Sequence, residues 1–169
     1  MRKLLCVFSV LFAVSLLLAD TGELNFSGEW QLNKEKSNFG ESGRGSRMAA
    51  TKMIINQKEK LKTERFSLNR NGEEDTTEET LTLDGKECKN ETTRGERIST
   101  ANISEDGKSL TINTTMKMER QGNEFEIQIK EIWSLENDGD ALVIDYTTTT
   151  SRGERNRKIY YDKVKTEAK

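Results

Sequence analysis

The side chains that carry acid–base or nucleophilic chemistry set the first limits on function. The chain contains no His, which removes the commonest general base, the commonest metal ligand and the usual partner of a Ser or Cys nucleophile. Cys88 is the only cysteine beyond the N-terminal apolar segment, so neither an internal disulfide nor a structural zinc site is expected. We therefore predict no catalytic residues, no metal and no cofactor.

Neighbouring carboxylates are the remaining candidates for acid–base chemistry. Glu73-Glu74 and Glu78-Glu79 are two such pairs, and a carboxyl group can act as a general acid or base. Charged residues make up 33% of the chain, however, and such pairs then usually belong to a solvated face. An enzyme that works through Asp, Glu, Tyr or Lys inside a barrel is the least favoured of three functional hypotheses.

Residues 1–19 have the pattern of a cleaved secretory signal peptide. Two basic residues come first, an apolar core follows from Leu4 to Leu18, and Ala19 is a small residue suited to cleavage. The alternative is a membrane anchor, but the apolar run is shorter than the roughly 20 residues that span a bilayer. We expect an exported protein, periplasmic or extracellular, without a transmembrane anchor, whose residues 20–169 form a single domain.

The charge balance bears on the partner. The chain has 27 Lys+Arg and 29 Asp+Glu, and removal of residues 1–19 takes away two of the basic side chains. A nucleic-acid-binding domain typically shows a basic stripe, and this mildly acidic chain has none. We expect a monomer that binds a small molecule and no nucleic acid.

Turn signals recur along residues 84–164. Pairs such as Asp84-Gly85, Asp106-Gly107 and Asp138-Gly139 separate runs in which apolar and polar residues alternate, the pattern of hairpins that join half-buried strands. The clearest run is Ser109–Arg120, where one face carries Leu110, Ile112, Thr114, Met116 and Met118.

The fold predicted from this pattern is all-β: an antiparallel up-and-down meander of about ten strands with no substantial helix. Closure into a single barrel removes the two exposed edges of such a meander. An outer-membrane barrel would need apolar residues on its outer faces, and those faces carry Lys, Glu and Thr instead.

Two segments depart from the alternation. Glu131-Ile132-Trp133 interrupts the strand Glu124–Leu135, and a β-bulge there would restore the pattern. Lys34–Arg47 is polar and rich in Gly and Ser. It is interpreted as a long loop, either a lid at the barrel mouth or a disordered connector.

The segment from Phe26 to Leu32, with Gly28 and Trp30 inside it, resembles the opening of the calycins, which include the lipocalins and the fatty-acid-binding proteins. In those families Gly-x-Trp lies on the first strand and the Trp closes one end of the barrel. The chain also resembles small exported bacterial lipocalin-like proteins of unknown function. The resemblance implies that Gly28 and Trp30 close the barrel, with Trp30 a core plug rather than a ligand contact.

The segment Tyr161-Asp162-Lys163-Val164 looks like the last strand of the fatty-acid-binding group, where an Arg-x-Tyr pair holds the ligand carboxylate. In this chain Ile159 stands where that Arg would be. If Tyr161 points inward, period two sends Arg157 and Arg155 inward as well. Arg157 should then meet an inward carboxylate, such as Glu131 or Glu79, or the anionic head of a ligand. The alternative is that both arginines are solvated at the rim.

The remaining candidate ligand-binding residues lie on the same predicted inner faces. They are Met116, Met118, Phe125 and Ile127, which either fill a core or line a cavity, together with Tyr146.

These observations support two leading hypotheses. The first is a secreted or periplasmic, lipid-binding protein of lipocalin-like type that holds a small, partly apolar ligand. The second is an envelope or extracellular structural or interaction protein whose barrel core is filled and holds no ligand. A cavity of about 300 Å³ or more would favour the first.

Overall fold

The computed structural model describes residues 24–40, 49–69, 71–93, 95–120 and 122–165. In these residues ten antiparallel strands form one sheet that curls into a nearly closed barrel. The strands are β1 Gly28–Asn38, β2 Lys52–Gln57, β3 Lys60–Leu68, β4 Glu74–Thr82, β5 Cys88–Thr92, β6 Gly95–Ile103, β7 Ser109–Arg120, β8 Asn123–Glu136, β9 Ala141–Thr150 and β10 Gly153–Lys163.

The order of the strands in space follows their order in the chain. Each strand pairs with the next except β4 with β5, and the first and last strands pair with each other, which gives the order β4-β3-β2-β1-β10-β9-β8-β7-β6-β5. Leu32 of β1 lies opposite Tyr161 of β10. A three-residue 3-10 turn, Asn137–Gly139, is the only helical segment within the described parts of the chain. The predicted all-β meander of ten strands is confirmed.

Glycine is required where the chain turns between β5 and β6. Gly95 has φ of +125°, and a Cβ added there would overlap the backbone oxygen of Lys117 on the neighbouring strand. That oxygen belongs to the ladder and cannot move aside, so the position accepts no side chain.

Two sequence predictions about irregular segments are wrong. The polar loop does not begin at Lys34, because β1 continues to Asn38 through an irregularity in its pairing with β10. The bulge at Glu131–Trp133 is absent as well. The β7–β8 register is unbroken, and the alternation survives because the charged Glu131 points inward while Ile132 points outward. The rest of the predicted loop, residues 41–48, and the predicted signal peptide, residues 1–19, lie outside the described residues.

One end of the barrel is filled by apolar side chains. Trp30, Phe26 and Trp133 are fully buried there, and the Phe26 and Trp133 rings meet edge to face at 5.5 Å between centroids. Trp30 Nε1 donates to Phe26 O at 2.9 Å, which satisfies its polar atom without a ligand. Gly28 lies beside this end, and a Cβ there would approach Lys163 Cε to 3.0 Å.

The barrel has a seam between β4 and β5, where side chains take the place of a strand ladder. Thr80 N donates to Asn90 Oδ1 at 2.9 Å, and Asn90 Nδ2 donates to Thr80 O at 3.3 Å. The Asn90 amide therefore does what a peptide group would do in a neighbouring strand. Thr82 N donates to Cys88 Sγ at 3.3 Å, so the lone thiol also belongs to this seam.

We expect Asn90→Ala to lower the free energy of unfolding by about 1 kcal/mol, because both backbone groups of Thr80 lose their partner. Urea denaturation measures the loss, and amide hydrogen exchange should become faster at Thr80. Asn113→Ala is the control, since Asn113 is exposed on the outer face of β7. Equal losses in the two variants would contradict the role of the seam.

Candidate ligand site inside the barrel

Four charged side chains cross the interior next to the apolar end. Arg65 comes from β3, Glu79 from β4, Arg97 from β6 and Glu131 from β8. Each occupies an inward position of its strand; for example, Arg65 alternates with the buried Thr63 and Ser67. We call these four side chains the charged belt.

The belt is held together by short ion pairs. Arg65 Nη2 donates to Glu131 Oε2 at 2.9 Å, and Arg97 Nε donates to Glu79 Oε1 at 2.7 Å. A longer contact of 3.8 Å joins Arg65 Nε to Glu79 Oε2. Trp133 Nε1 also donates to Glu131 Oε2, at 2.8 Å. Glu131 is 1% exposed and Glu79 is 5% exposed, so both carboxylates are removed from water.

Arg65 and Glu131 remain charged despite their burial. Burial alone would raise the pKa of Glu131, but the charge and hydrogen bond of Arg65, with the charge of Arg97, hold that pKa below its usual value. Burial would likewise lower the pKa of Arg65, and Glu131 and Glu79 raise it instead. Each charge is therefore stabilised by its partner, and removal of one leaves the other uncompensated in a medium of low dielectric constant.

The inner wall beyond the belt is more open. Met118 and Ile127 point inward but are only half-buried, and Phe125 is 38% exposed. Their neighbour Met116 is buried. Exposure on this face therefore rises toward the β7–β8 turn. Of the predicted lining residues, Met116 belongs to the packed interior, and the other three are more exposed.

In the last strand, the side chains predicted to share the inner face do lie on one side. Tyr161 and Ile159 are buried, and Arg157 is half-buried on the same side of β10. The Arg157 guanidinium lies 4.3 Å above the Tyr146 ring, and its Nη2 donates to Thr148 Oγ1 at 3.2 Å. Arg155 is exposed at the rim.

The carboxylates expected beside Arg157 have other partners. Glu131 pairs with Arg65, and Glu79 pairs with Arg97 and Arg65. An anionic ligand head as a partner of Arg157 stays a prediction. The interpretation of Glu78-Glu79 as a solvated pair is wrong, because only Glu78 is exposed and Glu79 is buried.

Sequence reasoning missed Arg65 and Arg97. Both lie on strands with few apolar residues, where a charged side chain looks like part of a solvated face. The alternation of side chains along each strand could have indicated that both arginines point inward. Arg65 shares its face with Leu61 and Thr63, and Arg97 shares its face with Ala101.

A cavity of about 350 Å³ lies at the apolar end of the barrel, apart from the belt. It is lined by residues that precede β1 and by the β2–β3 turn, namely Leu24, Asn25, Gln57, Lys58 and Glu59. None of the predicted ligand-binding residues lines it, so its volume does not bear on the predicted site.

Two further findings concern other kinds of site. Among the described residues, no group of three or more His, Cys, Asp or Glu side chains is arranged to hold a metal ion. The same residues contain no helix with the length and apolar character needed to cross a membrane.

Comparison with known proteins gives one structural likeness. No protein-family model matches the chain, and no curated protein matches it. Among solved structures, the chain is similar to the zebrafish ileal bile acid-binding protein complexed with cholic acid. The identity is 14%, the TM-score is 0.49, and the match covers 82% of this chain and 98% of that chain. At this level the likeness assigns neither a family nor a ligand.

Proposed function

We propose that this protein is an exported, non-enzymatic binding protein that holds a small amphipathic ligand with an anionic head in the open half of its barrel. The single observation that carries the proposal is the environment of Arg97. Its Nε is paired with Glu79, whereas its Nη1 donates to the thioether of Met116 at 4.0 Å. A thioether is a weak acceptor, so this edge of the guanidinium remains suited to an anion.

Arg157 supports the same location for the head. Both Arg97 and Arg157 act on the pKa of Tyr146, which burial raises, with Glu131 as a second cause in the same direction and the arginines opposing it. Of these two groups, the Arg157 guanidinium contacts the Tyr146 ring, at 4.3 Å from its centroid. The half-buried side chains of Met118 and Ile127 offer apolar surface for the rest of the ligand, and Met adapts to varied shapes.

Titration with a fluorescent fatty acid tests this function. We expect Arg157→Ala to bind the probe about tenfold more weakly than wild type, because a charge-assisted hydrogen bond is lost. Lys158→Ala is the matched control, since Lys158 lies next in the chain, points outward and contacts the Tyr160 ring. Equal affinity in wild type and Arg157→Ala would contradict the proposal that the ligand has an anionic head. Absence of binding would contradict the proposed function as a whole.

The second candidate is an envelope or extracellular structural or interaction protein with a filled core and no ligand. The observation that favours it is the belt, whose ion pairs already satisfy much of the interior charge. Native mass spectrometry of the protein purified from its source separates the two. A bound small molecule supports the binding protein, and a uniformly empty barrel supports the structural one.

A further inference from the structure

One carboxylate of the charged belt lies between two arginines. Glu79 Oε1 accepts from Arg97 Nε at 2.7 Å, whereas Glu79 Oε2 lies 3.8 Å from Arg65 Nε. The second distance is too long for a hydrogen bond. Among the residues that the structure describes, no other group bonds this nitrogen, so Arg65 Nε is an enclosed donor without a partner. A buried donor in this state is costly.

Glu79 is close enough to reach that donor by a movement of its side chain. The 3.8 Å contact needs to shorten by only about 1 Å to become a hydrogen bond. The terminal torsion of a Glu side chain has a broad distribution, so its carboxylate can reorient at little cost. Arg65 would keep the 2.9 Å bond from its Nη2 to Glu131 and gain a second carboxylate at Nε. The belt therefore has two arrangements, with Glu79 on Arg97 or on Arg65.

The arginines form the more accessible side of the belt. The Arg97 side chain is 12% exposed and that of its partner Glu79 is 3% exposed. The Arg65 side chain is 19% exposed and that of its partner Glu131 is 1% exposed. An incoming anion would therefore meet a guanidinium before a carboxylate. An anion at the Nη1 edge of Arg97 would then lie beside the carboxylate at the Nε edge, and like charges repel.

We infer that Glu79 is an internal competitor of the ligand's anionic head at Arg97, and that it moves onto Arg65 Nε when the head binds. The inference rests on the proposed function and adds the residue that selects the head. The movement keeps Glu79 paired, so no carboxylate is left uncompensated in the interior, and it gives Arg65 Nε a partner. A negatively charged head can displace Glu79 from Arg97, and an uncharged head cannot.

A fluorescent fatty acid and its methyl ester test this competition, because only the acid has a charged head. Each probe is titrated into wild type, Glu79→Gln and Glu78→Gln. We expect Glu79→Gln to bind the acid about tenfold more tightly than wild type, since the internal carboxylate no longer competes, and to bind the ester with unchanged affinity. Glu78→Gln should match wild type with both probes, because Glu78 is exposed on the outer face of β4.

The Arg65 side chain gives a second measurement in wild type, should Glu79→Gln fail to fold. NMR of protein that contains isotope-labelled arginine follows the exchange of the Arg65 Nε hydrogen with water. Saturation with the acid should slow this exchange about tenfold, the effect of one charge-assisted hydrogen bond. Saturation with the ester covers the same site and should leave the exchange rate unchanged, because Glu79 then stays on Arg97.

The outcomes separate the inference from the proposed function. Equal or weaker binding of the acid by Glu79→Gln overturns the inference and leaves fatty-acid binding intact. An equal gain for the ester also overturns it, because the gain would then come from space rather than charge. The same conclusion follows if the Arg65 Nε hydrogen exchanges equally with either probe bound. If the fatty acid does not bind wild type, the proposed function and the inference fail together.

Discussion

Glu131→Ala should lower the free energy of unfolding by about 3–5 kcal/mol, because it leaves Arg65 inside the barrel without its shortest ion pair. The Trp133 indole loses its acceptor in the same variant. Urea denaturation measures the effect. Glu126→Ala is the control on the same strand, since Glu126 is exposed, and its effect should stay within about 0.5 kcal/mol.

A double variant separates the energetic effect of the Arg65–Glu131 ion pair from the effect of the volume that the two side chains fill. Arg65→Met combined with Glu131→Leu replaces the ion pair by apolar side chains of similar volume, a change that is often close to neutral. Glu79 keeps its shorter pair with Arg97 in that protein. Recovery of most of the lost stability is expected. A double variant as unstable as Glu131→Ala would show that shape or the lost acceptor of the Trp133 indole, rather than uncompensated charge, sets the cost.

Trp30→Ala should cost about 3–5 kcal/mol of unfolding free energy, because it opens a cavity at the filled end of the barrel. Trp30→Phe keeps most of the packing but loses the hydrogen bond to Phe26 O, so its loss should be smaller. Chemical denaturation gives both values. Trp30→Phe should bind the fluorescent fatty acid as wild type does. A fall in affinity without a fall in stability would instead make Trp30 a ligand contact.

The fold could be predicted because strand alternation and turn glycines are local signals. Ser109–Arg120 shows the principle: its apolar face is the inner face, and Leu110 and Ile112 are buried on it. The orientation of the last strand was predicted from two sources: the resemblance to the fatty-acid-binding group implied an inward Tyr161, and period two then placed Ile159 and Arg157 on the same side. In each case a side chain two residues away reports which face is buried.

The charged belt could not be predicted because its compensation is not local. Arg65 and Glu131 are 66 residues apart in the chain, and each alone looks like a residue that belongs in water. The false bulge at Glu131 has the same origin, since an inward carboxylate has the appearance of a break in the alternation. The seam was missed for a related reason: Asn90 and Cys88 replace a ladder with side chains, and no repeating pattern encodes such contacts.

The pairing of β1 with β10 gives this barrel a high contact order. Asn33 Nδ2 donates to Asp162 Oδ2 across 129 residues of sequence, whereas the other ladders join strands that are neighbours in the chain. The entropic cost of loop closure is greatest for this ladder, and non-local pairings of this kind slow folding. Until it forms, the hairpins can assemble only into open sheets whose edge strands can pair with another chain. The β1–β10 closure is therefore the step at which correct folding and aggregation compete.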